Sequence, residues 1–285
     1  MKENKILISI LVPTYNRVKY LQECLDSIVE QEWFSLKELE LIVSDNSEWN
    51  ETKNFMNGYI KKHKNRNIKY NKNEKNLWMV WNWNKLLELK RWEYLIFLSD
   101  DDKFYDKNSL KKLFEWLNKY KLDACYWKYM LIDSNSKELW QFRAHDKIDK
   151  KNIFYDSFDD QIKMHSISFG WILYKDNWFK YEEDMGMAAD WRFNLRYLYN
   201  KKKLALLNFY SFCYRSYDNN SIKTASFSLN IQRRWKNYKE FNVKFPIIKT
   251  ILFWFIELVC NSRIYKNFSS TKLWKNIINR IKRII

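Results

Sequence analysis

Three short apolar runs, Ile6–Val12, Leu39–Val43 and Tyr94–Leu98, each stop at a polar loop, and that repeated arrest constrains the fold more than any other feature of the chain. Runs of this length and composition read as strands buried on both faces. Between them the period becomes helical: Leu21, Cys24, Leu25, Ile28 and Val29 recur on one face of Lys19–Gln31. Thr52–Lys62 and Trp78–Lys90 read as further helices, the latter with Trp78, Trp81, Leu86 and Leu89 available to pack, and Asn67–Tyr70 as a short strand. A helix around Leu110–Tyr120 follows. Such alternation predicts a parallel, doubly wound α/β sheet. The loops Ser44-Asp45-Asn46-Ser47 and Ser99-Asp100-Asp101-Asp102 then share one edge, where sheets of this kind place a ligand crevice.

The second of these loops carries three adjacent carboxylates. An unpaired charge in a core is very costly, so all three are expected outside the burial of the preceding strand. Adjacent carboxylates repel one another, and a divalent cation is their natural neutraliser. Oxygen-only ligands favour magnesium, manganese or calcium over zinc. The alternative is a solvated acidic turn capping the helix near Asn108–Tyr120.

Past Asp123 the alternation breaks down. Ala124–Ile132 reads as a strand, Asp133–Ser136 as a turn and Trp140–Asp160 as polar and irregular. Ile167–Tyr174 is apolar, Ala188–Asn200 has helical period with Trp191, Leu195 and Leu198 on one face, and Leu204–Tyr214 returns as a strand. The expected division is therefore a domain over 1–226, with halves at about 1–122 and 123–226, and an extension over 227–285.

Charge sets the extension apart. The chain carries +17, and residues 231–285 hold thirteen Lys or Arg against Glu240 and Glu257, or +11 of that total. Trp274, Ile277, Ile278, Ile281, Ile284 and Ile285 alternate with Lys272, Lys275, Arg280, Lys282 and Arg283 at helical spacing. A basic amphipathic helix of this kind suits an anionic membrane surface, or docks its apolar face on the rest of the protein. No zinc-finger spacing or aromatic-basic signature points to nucleic acid. Ile247–Cys260 is too short to span a bilayer and contains Lys249 and Glu257. Met1–Ile10 runs straight into a strand without a signal-peptide pattern, so the expected location is the cytoplasm, peripheral on the inner face of the membrane. Cys24, Cys125, Cys213 and Cys260 are widely separated in apolar surroundings and are expected as buried free thiols.

Four motifs in order resemble the family-2 glycosyltransferases: Ile10-Leu11-Val12-Pro13-Thr14-Tyr15-Asn16-Arg17, Ile42-Val43-Ser44-Asp45-Asn46-Ser47, Phe97-Leu98-Ser99-Asp100-Asp101-Asp102, and Ala189-Asp190-Trp191 followed by Arg196. The resemblance covers about Lys5–Ile222. It implies the GT-A fold, a Rossmann-like, doubly wound mixed sheet, here with a basic helical extension. It also implies an inverting transfer of sugar from a nucleotide-diphosphate donor, expected to be UDP-linked, to a glycan or lipid-linked acceptor of a bacterial surface glycan. A divalent cation, manganese or magnesium, would screen the diphosphate, with Asp101 at the metal position and Asp100 toward the ribose. Family members often have Asp where Ser99 stands. Asp102 then helps through water or caps the following helix.

The same resemblance places Pro13, Thr14, Tyr15 and Arg17 under the nucleotide, with Tyr15 on the base and Arg17 near a phosphate. Asp45 is the expected acceptor for a base N–H, and Asn76 a further donor contact. The family commonly carries glycine in the segment Glu74-Lys75-Asn76-Leu77-Trp78, where this chain has Trp78. Asp190 matches the general base, and Asp184 of Glu182-Glu183-Asp184 is the runner-up. Arg215 is expected at the diphosphate, in a loop where relatives place a histidine and this chain has Tyr217. His63, His145 and His165 show no mutual metal spacing. Two other classes share parts of this pattern: a nucleotidyltransferase, which lacks support because no Gly-rich phosphate loop is present, and a non-catalytic sugar-nucleotide binder at a membrane surface.

Overall fold

A computed structural model describes residues 8–32, 38–91, 94–142, 153–155, 157–159, 162, 172–175, 180–200, 202–216 and 235–243. The chain divides into two compact units, Met1–Ala225 and Ser226–Ile285. The tail beyond Val243, with its basic amphipathic pattern, lies outside the described residues, as do Cys260, His145 and His165.

The first unit alternates strand and helix: β1 (Ile8–Thr14), α1 (Val18–Val29), β2 (Leu39–Asp45), α2 (Glu51–Lys62), β3 (Asn67–Lys72), α3 (Met79–Leu89) and β4 (Tyr94–Phe97). It continues with β5 (Lys103–Phe104), α4 (Ser109–Lys119), β6 (Ala124–Ile132), β7 (Glu138–Phe142), β8 (Ile153–Tyr155) and β9 (Ile172–Lys175). A 3-10 turn (Glu183–Ala188), α5 (Ala189–Tyr199) and β10 (Leu204–Arg215) close it.

One mixed sheet runs in the order β3-β2-β1-β4-β9-β6-β10-β5, with β7 beside β6 and β8 beside β10. Strands β3, β2, β1 and β4 are mutually parallel, as expected. Beyond them β6 and β10 are again parallel, but β9 enters antiparallel between β4 and β6, and β7 and β8 add antiparallel edges. β8 and β9 are short, and their partners are remote in sequence, so no local alternation marked them.

The core forms where the apolar periods meet. Leu21, Cys24, Leu25 and Ile28 of α1 and Leu110, Leu113 and Leu117 of α4 are buried together with Ile8, Ile10, Val12 and Ile96 of the sheet. Each such side chain contributes about 1.5–3 kcal/mol on leaving water. Trp127 and Phe212 stack at 4.9 Å on β6 and β10 and extend the core into the second half. Helix α3 packs differently from the expectation. Val80, Trp83 and Leu86 are its buried apolar residues, whereas Trp78 and Trp81 are exposed. Cys24, Cys125 and Cys213 are buried free thiols.

Candidate active site

Strand register assembles the site. β1 pairs with β2 so that Thr14 lies opposite Asp45, and β1 pairs with β4 through Ile8 opposite Tyr94 and Leu11 opposite Phe97. Continuing the second pairing past the end of β4 brings Asp100 opposite Thr14. There the Thr14 hydroxyl donates to Asp100 Oδ2 at 2.6 Å, and the Tyr15 N–H to the same oxygen at 3.3 Å. Arg17, just before α1, spans the two neighbouring carboxylates, with Nη2 at 3.2 Å from Asp100 Oδ1 and Nη1 at 2.6 Å from Asp101 Oδ2.

The expectation that all three carboxylates stay outside the core is corrected. Asp100 and Asp102 are 1% and 2% exposed. Both are engaged by the protein: Asp100 as above, and Asp102 by accepting the Arg215 N–H at 2.9 Å. Burial, opposed by Arg17, pushes the Asp100 carboxyl up to about 6. Asp102 does not cap α4, which follows Asn108, and it ties the loop to β10 instead.

Asp45, fully buried at the end of β2, accepts the Ser47 N–H at 2.6 Å on Oδ1. Its Oδ2 accepts the Tyr70 hydroxyl at 2.6 Å and pairs with Lys72 at 3.3 Å. Each carboxylate oxygen has room for two donors, but Asp45 is 0% exposed, so Oδ1 is covered as the chain stands. The Tyr15 hydroxyl donates to Glu48 at 3.0 Å, which places its ring at the rim between the first two loops.

A buried amide lattice fixes the floor beside Asp45. Asn73 Nδ2 donates to Asn46 Oδ1 at 2.8 Å and to Asn82 Oδ1 at 3.0 Å, while Asn82 Nδ2 donates to the Ser44 carbonyl at 3.0 Å. Asn46 also donates to the Trp78 carbonyl at 3.3 Å, and Asn76 Oδ1 accepts the Trp78 N–H at 2.8 Å. These bonds hold Trp78 at φ 64° and ψ 169°, a region that glycine occupies without strain and other residues at a cost of about 1–3 kcal/mol. The segment keeps a glycine-like backbone with an exposed indole on it. Asn46, Asn73 and Asn82 were missed from sequence; the run of asparagines between Asn46 and Asn84 was the available signal.

The residues present fit a divalent cation. Asp100 and Asp101 aim one oxygen each at a single positive group, the Arg17 guanidinium, and both are hard oxygen donors. Among the described residues no group of three or more His, Cys, Asp or Glu has metal-holding geometry, so the protein would supply part of a coordination shell and leave positions for water and phosphate oxygens.

The model of the family described as glycosyl transferase family 2 matches residues 9–182, more than half of the chain. The chain belongs to that family. An uncharacterized glycosyltransferase of Methanocaldococcus jannaschii is 29% identical over 250 residues, covering 84% of this chain and 82% of the relative. Among solved structures, Staphylococcus aureus TarS 1–349 in complex with UDP-GlcNAc superposes with a TM-score of 0.65 at 18% identity, over 95% of this chain and 77% of that one. A mannosyltransferase of Pyrobaculum calidifontis in complex with GDP-Man and Mn2+ gives 0.59 at 12% identity, over 83% and 64%. The fold is the GT-A fold.

In this transferase α5 carries a further carboxylate in its first turn. Asp190, in the first turn of α5, is 9% exposed and accepts the Trp191 N–H at 2.6 Å. Burial, and then the Asp190 charge, push the Tyr181 phenol well up. Tyr181 stacks on Phe193 at 4.6 Å and meets Phe97 of β4 edge-on at 5.5 Å, so one aromatic wall runs from α5 to the strand that leads into the acidic loop. Asn84 of α3 locks that wall by exchanging two 2.8 Å bonds with the Tyr181 backbone. Glu182 is paired with Arg192 at 2.7 Å and with Arg196, and Asp184 is exposed.

Arg215 departs from its expected place. Its guanidinium is wholly buried and is spent on the protein itself, on Asp101, Asp133, Ser136 and Glu23, rather than presented to a diphosphate.

Proposed function

We propose that the transferase moves a sugar from a nucleotide-diphosphate donor, UDP-linked, to a hydroxyl of a glycan or lipid-linked acceptor, with inversion at the anomeric carbon. The observation that carries this reading is the line of Thr14, Asp45, Asp100 and Asp101 along parallel strand ends. Pro13 and Thr14 form the floor under the nucleotide. Tyr15 offers a face to the base, Asp45 a carboxylate oxygen to a base N–H, and Asn76 holds the adjoining loop. Asp100 lies nearest the ribose, and Arg17 is within a side-chain rotation of the diphosphate. A divalent cation at Asp101, manganese or magnesium, supplies positive charge against the departing diphosphate.

Asp190 takes the proton of the acceptor hydroxyl as its oxygen attacks the anomeric carbon. The bond from that carbon to the diphosphate oxygen breaks on the opposite face, and the electron pair leaves with the nucleoside diphosphate. Trp49, Trp78 and Trp81 are exposed, and such indole faces suit the C–H face of an acceptor sugar. Asp190→Asn is expected to lower turnover at least a hundredfold in a nucleoside-diphosphate release assay, with donor affinity within about threefold of wild type. Intact turnover in that variant would remove Asp190 from the mechanism and leave the non-catalytic binder as the better reading.

The excess of +11 in residues 231–285 supports a role for the extension at an anionic membrane surface. No helix among the described residues is long and apolar enough to cross a membrane. The full chain should cosediment with vesicles rich in anionic lipid, detach as salt is raised, and ignore neutral vesicles. Equal binding to both kinds would contradict the electrostatic account.

A further inference from the structure

Arg215 is a buried charge that the proposed chemistry does not use. It ends β10, and its side chain is 0% exposed. A guanidinium taken from water is expensive unless every donor is met. Here Nε donates to the Asp101 carbonyl at 2.8 Å, Nη1 to the Asp133 carbonyl and the Ser136 hydroxyl at 3.0 Å each, and Nη2 to the Glu23 carboxylate at 2.7 Å. Its plane lies 4.4 Å from the Tyr20 ring centre. One side chain thereby joins α1, the acidic loop and the turn between β6 and β7.

The contact with the acidic loop is reciprocal. The side chain of Arg215 holds the backbone of Asp101, and the backbone of Arg215 is held by the side chain of Asp102. The Asp101 carbonyl and the Asp102 Cα both belong to one peptide unit. Fixing its plane from both ends sets the direction in which the Asp101 side chain leaves the loop. We propose that Arg215 is a positioning residue that aims the Asp101 carboxylate at the donor site, with Glu23 and Ser136 anchoring the far end of its fork. This rests on the reading of Asp101 as the holder of a divalent cation. Lysine keeps the charge, but a single ammonium cannot serve the Asp101 carbonyl, the turn and Glu23 together.

The test reads free Mn2+ by electron paramagnetic resonance on the full-length protein, with UDP present, at temperatures where each variant is folded by circular dichroism. Wild type, Arg215→Lys, Glu23→Gln, Ser136→Ala and Asp101→Asn are compared. Arg215→Lys is expected to weaken Mn2+ binding about tenfold, and Glu23→Gln and Ser136→Ala, which release only the far end of the fork, by about twofold to fivefold. Asp101→Asn should abolish it. In Arg215→Ala, millimolar guanidinium should restore affinity where methylammonium does not, a rescue that a purely structural role would not give. If Arg215→Lys and Glu23→Gln bind Mn2+ as wild type does while Asp101→Asn does not, the positioning role is wrong and the metal site stands. Should Arg215→Lys not fold, the Glu23 and Ser136 variants decide, and unchanged affinity in both overturns the proposal. Binding that is indifferent to Asp101, or absent in wild type, overturns the metal reading and this proposal with it.

Discussion

Arg17 and Arg215 meet the same acidic loop, one from the rim and the other from the interior, and the physics of the two contacts differs. The Arg17 side chain is 38% exposed and reaches in from the rim to two largely buried carboxylates, with a 2.6 Å hydrogen bond to Asp101. Because the arginine end of these pairs keeps access to water, such an arm can turn outward and engage something else. The Arg215 guanidinium has no water to return to, and its partners are carbonyls, a hydroxyl and a carboxylate fixed by separate elements. The lesson is that one residue type serves as a movable counter-charge at the rim and as a fixed strut inside. Solvent access decides which.

That contrast predicts an order of effects. Arg215→Met should cost about 3–5 kcal/mol of stability, because it strands the Asp101 and Asp133 carbonyls and the Glu23 carboxylate. Urea denaturation should show this as a lower midpoint with an unchanged slope. Arg17→Gln should cost less than that in the same experiment, because the arginine end of its pairs stays at the solvent-facing rim. Its expected effect lies in UDP affinity, weakened about tenfold by calorimetry, since a charge-assisted contact with phosphate is lost. Similar stability losses for both arginines would break the distinction between strut and counter-charge.

Most of the donor side was legible because its signals are local. The apolar period of Leu21, Cys24, Leu25 and Ile28, and the arrest of each strand at a polar loop, do not depend on distant partners. Parallel pairing then had to align Thr14, Asp45 and the acidic loop. The burial of Asp100 and Asp102 was hidden because what permits it comes from elsewhere: Thr14, 86 residues earlier, and Arg215, 113 residues later. The burial of Arg215, expected at a diphosphate, was hidden for the same reason, since its acceptors on Glu23, Ser136 and Asp133 are assembled by folding. Trp78 and Trp81 looked like core by type, yet the helical period that is buried runs through Val80, Trp83 and Leu86. The antiparallel entry of β9 between β4 and β6 carries no local mark at all.

The central claim is that the strand ends around Asp45 and Asp101 form one metal-assisted nucleoside-diphosphate site. A thermal-shift panel of nucleoside diphosphates, each with and without manganese, tests it directly, because a ligand that binds the native state raises its melting temperature by mass action. The account predicts a rise with UDP that requires manganese and vanishes in both Asp45→Ala and Asp101→Asn. A UDP-induced rise of the same size without manganese, or one that survives both substitutions, would contradict it.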